Sequence, residues 1–180
     1  MILLLVGIPI LTKAQDLKRN NVYLELAGAS MFYSINYERL WLDNNEHNIA
    51  TRGGLMYIYL FDEQKRTIAG VPISISYLKS LSKHFFEVGV SFSAIRDTYY
   101  LMVNDTETSF IDELVLMPSI RAGLRHQPSE KKLFWNILAQ ASMMAHGETA
   151  KYEPYIKFFP MISFGLGYSF WRVRPAFNTT

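Results

Sequence analysis

Cysteine is absent from the 180 residues, which removes disulfides, thiolate metal sites and cysteine nucleophiles together. Charge is scarce as well. Eighteen basic residues face sixteen acidic ones for a net +2, so there is no electrostatic footprint for nucleic acid. No apolar run is long enough to cross a bilayer as a helix: the longest, Ile2 to Leu11, is about half the roughly 20 residues required. Helical periodicity is missing too, because no stretch fits an amphipathic helix better than a strand. What the chain does hold is 49% hydrophobic residues, with 14% aromatic residues spread along its length. That composition excludes disorder, and the length suits one domain.

The opening "MILLLVGIPILTKAQ" has an apolar run of export-signal length followed by Thr12-Lys13-Ala14, which leaves small residues where a signal peptidase reads. We read residues 1–14 as a signal peptide and 15–180 as the mature domain. A basic residue ahead of the run is missing, which fits a start lying upstream. The alternative is a buried N-terminal strand or helix. Loss of Lys13 leaves 17 basic against 16 acidic residues, or +1.

Period-2 alternation runs from Val22 onward and predicts eight strands, at about 22–30, 32–42, 49–61, 69–79, 84–96, 114–127, 133–145 and 159–171. Connections alternate in length. "DNNEH", "SLSK" and "QPSEKK" are short, whereas "DEQKRT", "DTYYLMVNDTETSFIDE" and "HGETAKYEPYIK" are longer. An up-and-down barrel places all odd connections at one rim and all even ones at the other, which yields this alternation. Only the first connection, around Ser30 to Phe32, is shorter than its rim suggests.

The faces decide the environment. One face of the seventh strand carries Leu133, Trp135, Ile137, Ala139, Ala141, Met143 and Ala145; the other carries Phe134, Asn136, Leu138, Gln140, Ser142 and Met144. In the sixth, Leu114, Leu116, Pro118, Ile120, Ala122 and Leu124 oppose Val115, Met117, Ser119, Arg121, Gly123, Arg125 and Gln127. The mixed face is polar and rich in glycine and serine, as a lumen just wide enough for its own side chains demands. A water-facing exterior has no such preference for glycine. The smooth apolar face therefore looks outward at lipid, which predicts an all-β, eight-stranded, antiparallel transmembrane β-barrel.

Inward positions collect Glu25, Glu38 and Glu87 with Arg52, Arg121 and Arg125. Unpaired buried charges cost several kcal/mol, so three of each sign imply an internal ion-pair network. Glu38 and Arg52 are symmetric about the "DNNEH" turn and should oppose each other. Glu87 and Arg125 should meet near the short-turn rim. Outward aromatics Trp41, Tyr77, Phe86, Trp135 and Phe170 fall at the short-turn ends of their strands, where an interfacial girdle belongs; Tyr57 and Tyr59 begin the opposite one.

The last strand, "SFGLGYSF", has Ser163, Gly165, Tyr168 and Phe170 in a polar-x-Gly-x-x-aromatic-x-aromatic arrangement. It resembles the last-strand signal by which assembly machinery recognises bacterial outer-membrane barrels, although nine residues, Arg172 to Thr180, follow Trp171. The segment "NNVYLELAGASMFYSINYERLW" is similar to the first hairpin of small outer-membrane barrels of the OmpA, OmpX and OmpW kind. The resemblance implies a Gram-negative outer-membrane location, termini and short turns in the periplasm, long loops outside, and lipid, lipopolysaccharide and the barrel-assembly machinery as partners. The surface partner stays open.

Catalytic chemistry is thin. His47, His84 and His126 are placed at the short-turn rim and His146 at the other, so spacing yields no metal cluster. His126 and Ser129 are the nearest approach to a lipid-modifying esterase pair, one residue too far apart and in a short turn. The stretch from Asp97 to Glu113 gathers Asp105, Glu107 and Asp112 without a basic residue, but lacks a calcium-loop ladder and reads as a solvated loop. Its Tyr99, Tyr100 and Phe110 extend the flanking strands or form a contact surface. Pro72, Pro118 and Pro160 count against a closed barrel, since each removes a ladder bond. The expectation is a non-enzymatic barrel without cofactor or metal, its packed lumen conducting little, with an envelope-structural or surface-recognition role. The alternatives are a soluble exported lipocalin-like barrel carrying a hydrophobic ligand, and a lipid-modifying barrel enzyme.

Overall fold

The computed structural model describes residues 19–42, 46–61, 65–81, 84–104, 107–128, 131–146 and 156–170. The expected signal peptide, residues 1–14, lies outside the described residues, as do Asp105, Ser129 and the segment from Arg172 to Thr180. Eight strands follow in order: β1 Asn20–Leu26, β2 Tyr33–Leu42, β3 His47–Leu60, β4 Arg66–Leu81, β5 His84–Asn104, β6 Glu107–His126, β7 Leu133–His146 and β8 Ile156–Phe170. Each pairs antiparallel with its sequence neighbours, and β1 closes on β8. Closure leaves no exposed edge over the shared height of the wall.

The wall is uneven. β1 has 7 residues, whereas β5 and β6 have 21 and 20. The stretch from Asp97 to Glu113, expected as a loop, is instead the outer part of β5 and β6, paired from Asp97↔Glu113 onward to Asn104↔Glu107. The reason is visible at Arg96 and Asp112. Both sit on the outward face and the guanidinium donates to the carboxylate at 2.8 and 2.5 Å, so the strands continue where a charged pair interrupts the apolar pattern that marks them.

The first connection is short because it turns into the barrel. Ala29 and Ser30 are buried, the Ser93 hydroxyl of β5 donates to the Ala29 carbonyl at 2.5 Å, and Met31 packs on apolar side chains at the mouth opposite the short turns. Two non-glycine residues accept left-handed backbone to make that turn, Ala27 at φ 52° and Met31 at φ 71°.

The prolines are accommodated without loss of register. Bridge partners are missing between Gly53↔Ile73 and Met56↔Gly70, around Pro72, yet the pairing resumes in step; the same happens between Leu116↔Ala145 and Ser119↔Ser142, around Pro118. Pro160 lies beyond Phe164, where the β1–β8 ladder ends, so one side of β8 has no strand partner there among the described residues.

Tight strand approach explains several lumen glycines. A Cβ on Gly123 would lie 2.1 Å from the Ile137 carbonyl oxygen, whereas among the described residues nothing stands within 4 Å of one on Gly53, which is exposed on the outer face. Gly123→Ala is expected to destabilise the barrel by about 1–3 kcal/mol, as overpacking does, while Gly53→Ala is expected to unfold with the parent chain. Urea midpoints of the two variants in detergent micelles check the contrast, and equal midpoints would contradict it.

Candidate functional site

Alternation places the six inward charges together at the centre of the barrel. Glu38 of β2 directly opposes Arg52 of β3. The Glu38 carboxylate accepts from Arg52 Nε at 2.5 Å, from Arg125 Nη1 and Nη2 at 2.9 and 2.5 Å, and from Asn21 Nδ2 at 2.6 Å. Glu87 of β5 faces Arg52, and Arg125 at 3.6 Å, in ionic contacts without aligned hydrogen bonds. Arg121 of β6 pairs across the lumen with Glu25 of β1 at 2.6 Å. All six are buried, and the charges sum to zero, which keeps the low-dielectric interior from holding an isolated ion. Arg125 also lies 4.6 Å over the Phe134 ring, a contact that suits a weakly hydrated guanidinium.

Polar layers flank this network. Gln127 Nε2 reaches Asn21 Oδ1 and Ser169 Oγ, each at 3.2 Å. On the other side Gln140, Ser119 and Ser142 bond one another at 2.8 to 3.2 Å. The apolar members of the mixed face are sorted by height. Leu40, Ala50, Leu78 and Phe85 fill the short-turn end, and Met56, Ile68, Ile95, Val115, Met117 and Met144 fill the other. These residues share the inward parity of the charges, but position along the strand, which parity does not encode, sorts them into apolar caps.

The exterior is the inverse. Val22, Ile35, Leu55, Ile73, Val90, Ile120, Ile137 and Ile162, one from each strand, are exposed. At the short-turn rim, Trp41, Tyr77 and Phe86 are exposed and Trp135 and Phe170 half-buried on the same outer face. Cations accompany them: Arg39 lies 4.4 Å over Trp41, and Lys132 lies 5.6 Å over Tyr168. At the other rim Tyr57 and Tyr59 are exposed, and the tall β5–β6 wall adds Tyr100 against Phe110, ring centroids 5.3 Å apart. Above the apolar band, the hydrogen bond from Arg96 holds the Asp112 carboxyl below its ordinary range.

The residues of the last-strand motif divide between faces. Ser163 and Gly165 point inward, where a Cβ on Gly165 would lie 2.2 Å from Asn136 Oδ1; Tyr168 points outward and Phe170 is half-buried beside it. Lumen packing is therefore a sufficient reason for the glycine.

Among the described residues no group of three or more His, Asp or Glu side chains is arranged to hold a metal. Two histidines that spacing along the chain leaves apart do come together: His84 and His126 lie with ring centroids 4.9 Å apart. The signal was available in the strand register, since the two flank the β5–β6 pairing at its short-turn end.

The chain matches no protein-family model and no curated protein. Among solved structures it is similar to Ail, the attachment invasion locus protein of Yersinia pestis, at 10% identity and a TM-score of 0.41, over 84% of this chain and 94% of that one.

Proposed function

We propose that this chain is a non-enzymatic outer-membrane β-barrel that serves the envelope structurally or through recognition at its tall rim. The observation that carries the reading is the inversion of the barrel: ion pairs inside, and on every strand a large aliphatic side chain exposed outside. In water such an exterior would be one contiguous apolar surface far beyond what soluble monomers expose. In hydrocarbon it is the favoured arrangement. A lipocalin-like carrier needs an empty apolar interior, whereas here the middle of the lumen is occupied by Glu38, Arg52, Glu87 and Arg125.

The packed lumen argues for little solute conduction, so the work falls to the surfaces. The start of β1, the end of β8 and the short connections share one end, which the export reading places in the periplasm. The opposite end then carries the tall β5–β6 wall, with Tyr100 and Phe110 exposed on it, as the contact surface for lipopolysaccharide or a surface partner. Assembly would draw on the last strand through Ser163, Gly165, Tyr168 and Phe170. His126 packs against Trp135 at the rim, which gives it a role in packing and no nucleophile to activate among the described residues.

Gel mobility of the protein from cells that retain the export signal, with and without boiling, tests the reading. A heat-dependent shift in the membrane fraction is the expected result, because a closed barrel resists detergent until heated. Recovery from the soluble periplasm without a shift would overturn it.

A further inference from the structure

His84 begins β5 and His126 ends β6. One step beyond the pairing Phe85↔Arg125, the register sets the two directly opposite each other, on the outer face at the short-turn rim. Side chains so placed have Cβ atoms about 4.5–5.5 Å apart, and the imidazole centroids are 4.9 Å apart with ring planes at 46°. Trp135, opposite His126 on β7, stacks on it at 5.6 Å and 27° and lies 6.2 Å from His84. The indole thus fixes the His126 ring. Nδ1 of His126 is buried and has no hydrogen-bond partner among the described residues, so no described protein group occupies that nitrogen.

The centroid separation equals that of two imidazoles that each turn one nitrogen to a shared metal ion. A metal–nitrogen bond of about 2.1 Å, with the ring centre about 1.1 Å behind the nitrogen, puts each centroid about 3.2 Å from the ion. A tetrahedral angle then separates two centroids by about 5.2 Å and a right angle by about 4.5 Å. The observed separation falls between these. We infer that His84 and His126 form a two-imidazole site for a divalent transition-metal ion of the copper, nickel or zinc class, with water in the remaining positions. Imidazole pairs favour these ions over magnesium or calcium, which take oxygen donors. The site does not depend on whether the barrel lies in a membrane.

Trp135 is a built-in reporter. In the full chain folded in detergent micelles, with Trp41→Phe and Trp171→Phe leaving one indole, Cu2+ is expected to quench emission saturably, and Zn2+, which does not quench, to restore it by competition. His84→Ala and His126→Ala should each weaken Cu2+ binding about tenfold or more, because each removes half of the chelate, while His47→Ala leaves it unchanged. Heat-dependent gel mobility verifies that each variant is folded, and the milder His84→Gln, at an exposed position, supplies a second folded variant that also lacks the ligand. Quenching that rises linearly with Cu2+ without saturating, or saturable quenching that survives loss of either histidine, would overturn the site.

Discussion

Replacing Glu38 with alanine is expected to lower the unfolding free energy by about 3–5 kcal/mol, the range for breaking a buried ion network by removing one partner. Glu38 is fully buried and takes three guanidinium hydrogen bonds, from Arg52 and Arg125, besides one from Asn21. Without it, two buried arginines share Glu87 alone, which holds them only through ionic contacts. The penalty comes from the stranded positive charge more than from the lost bonds. Two comparisons separate these contributions. Glu38→Gln keeps an acceptor but not the charge and should fall between parent and alanine. Replacing the whole group, as Glu38→Leu, Arg52→Met, Glu87→Leu and Arg125→Met, removes every stranded ion and should recover most of the loss, since well-packed apolar residues often match a buried ion group in stability. Urea unfolding in detergent micelles, followed by the heat-dependent gel shift, measures all three. Glu38→Ala within about 0.5 kcal/mol of the parent, the range of an ordinary surface change, would show that the network is solvated and structurally idle.

The opposition of Glu38 and Arg52 could be read from the sequence because it depends on two local facts, a period of two and a short turn, which fix parity and register together. The same logic reads Arg121 and Arg125 inward. It fails where pairing outlasts pattern. Arg96 and Asp112 bond each other on the outward face, so β5 and β6 run on past the point where charge interrupts the outward apolar row, and their extent is set by cross-strand hydrogen bonds that no single strand displays. It fails again at Ala27 to Phe32, where a connection folds inward and Met31 joins the apolar side chains at the mouth, a tertiary contact with no sequence periodicity. The apolar caps of the lumen were visible as inward residues, for instance Val115 and Met117, but their segregation from the charges reflects height along the strand. His84 and His126 are 42 positions apart in the chain, and only the long β5–β6 register brings them opposite.

Depth, not exposure, should govern what a charge on the outer wall costs, and two positions isolate it. Ile120, midway along the apolar outward row of β6, is 65% exposed; Leu133, at the short-turn end of β7, is 63% exposed. A water-soluble barrel treats the two alike, and arginine at either would be neutral within about 0.5 kcal/mol. A bilayer does not. Ile120→Arg is expected to cost about 2–4 kcal/mol, as a cation near the midplane does, while Leu133→Arg, which can reach headgroups, costs about 0–1 kcal/mol. Folding titrations into phospholipid vesicles measure both, with the unfolded chain in urea as a common reference. In vesicles, the gap of about 1–4 kcal/mol should lower the folded-to-unfolded ratio of Ile120→Arg by about fivefold or more relative to Leu133→Arg. In detergent micelles, whose surfactants rearrange around a charge, the gap should narrow, because snorkelling and local thinning are what relieve such a cost. Equal, near-zero penalties at the two positions in vesicles would mean that water bathes the whole outer wall, and the inverted arrangement of charge and hydrocarbon would then need burial against another protein surface to be stable.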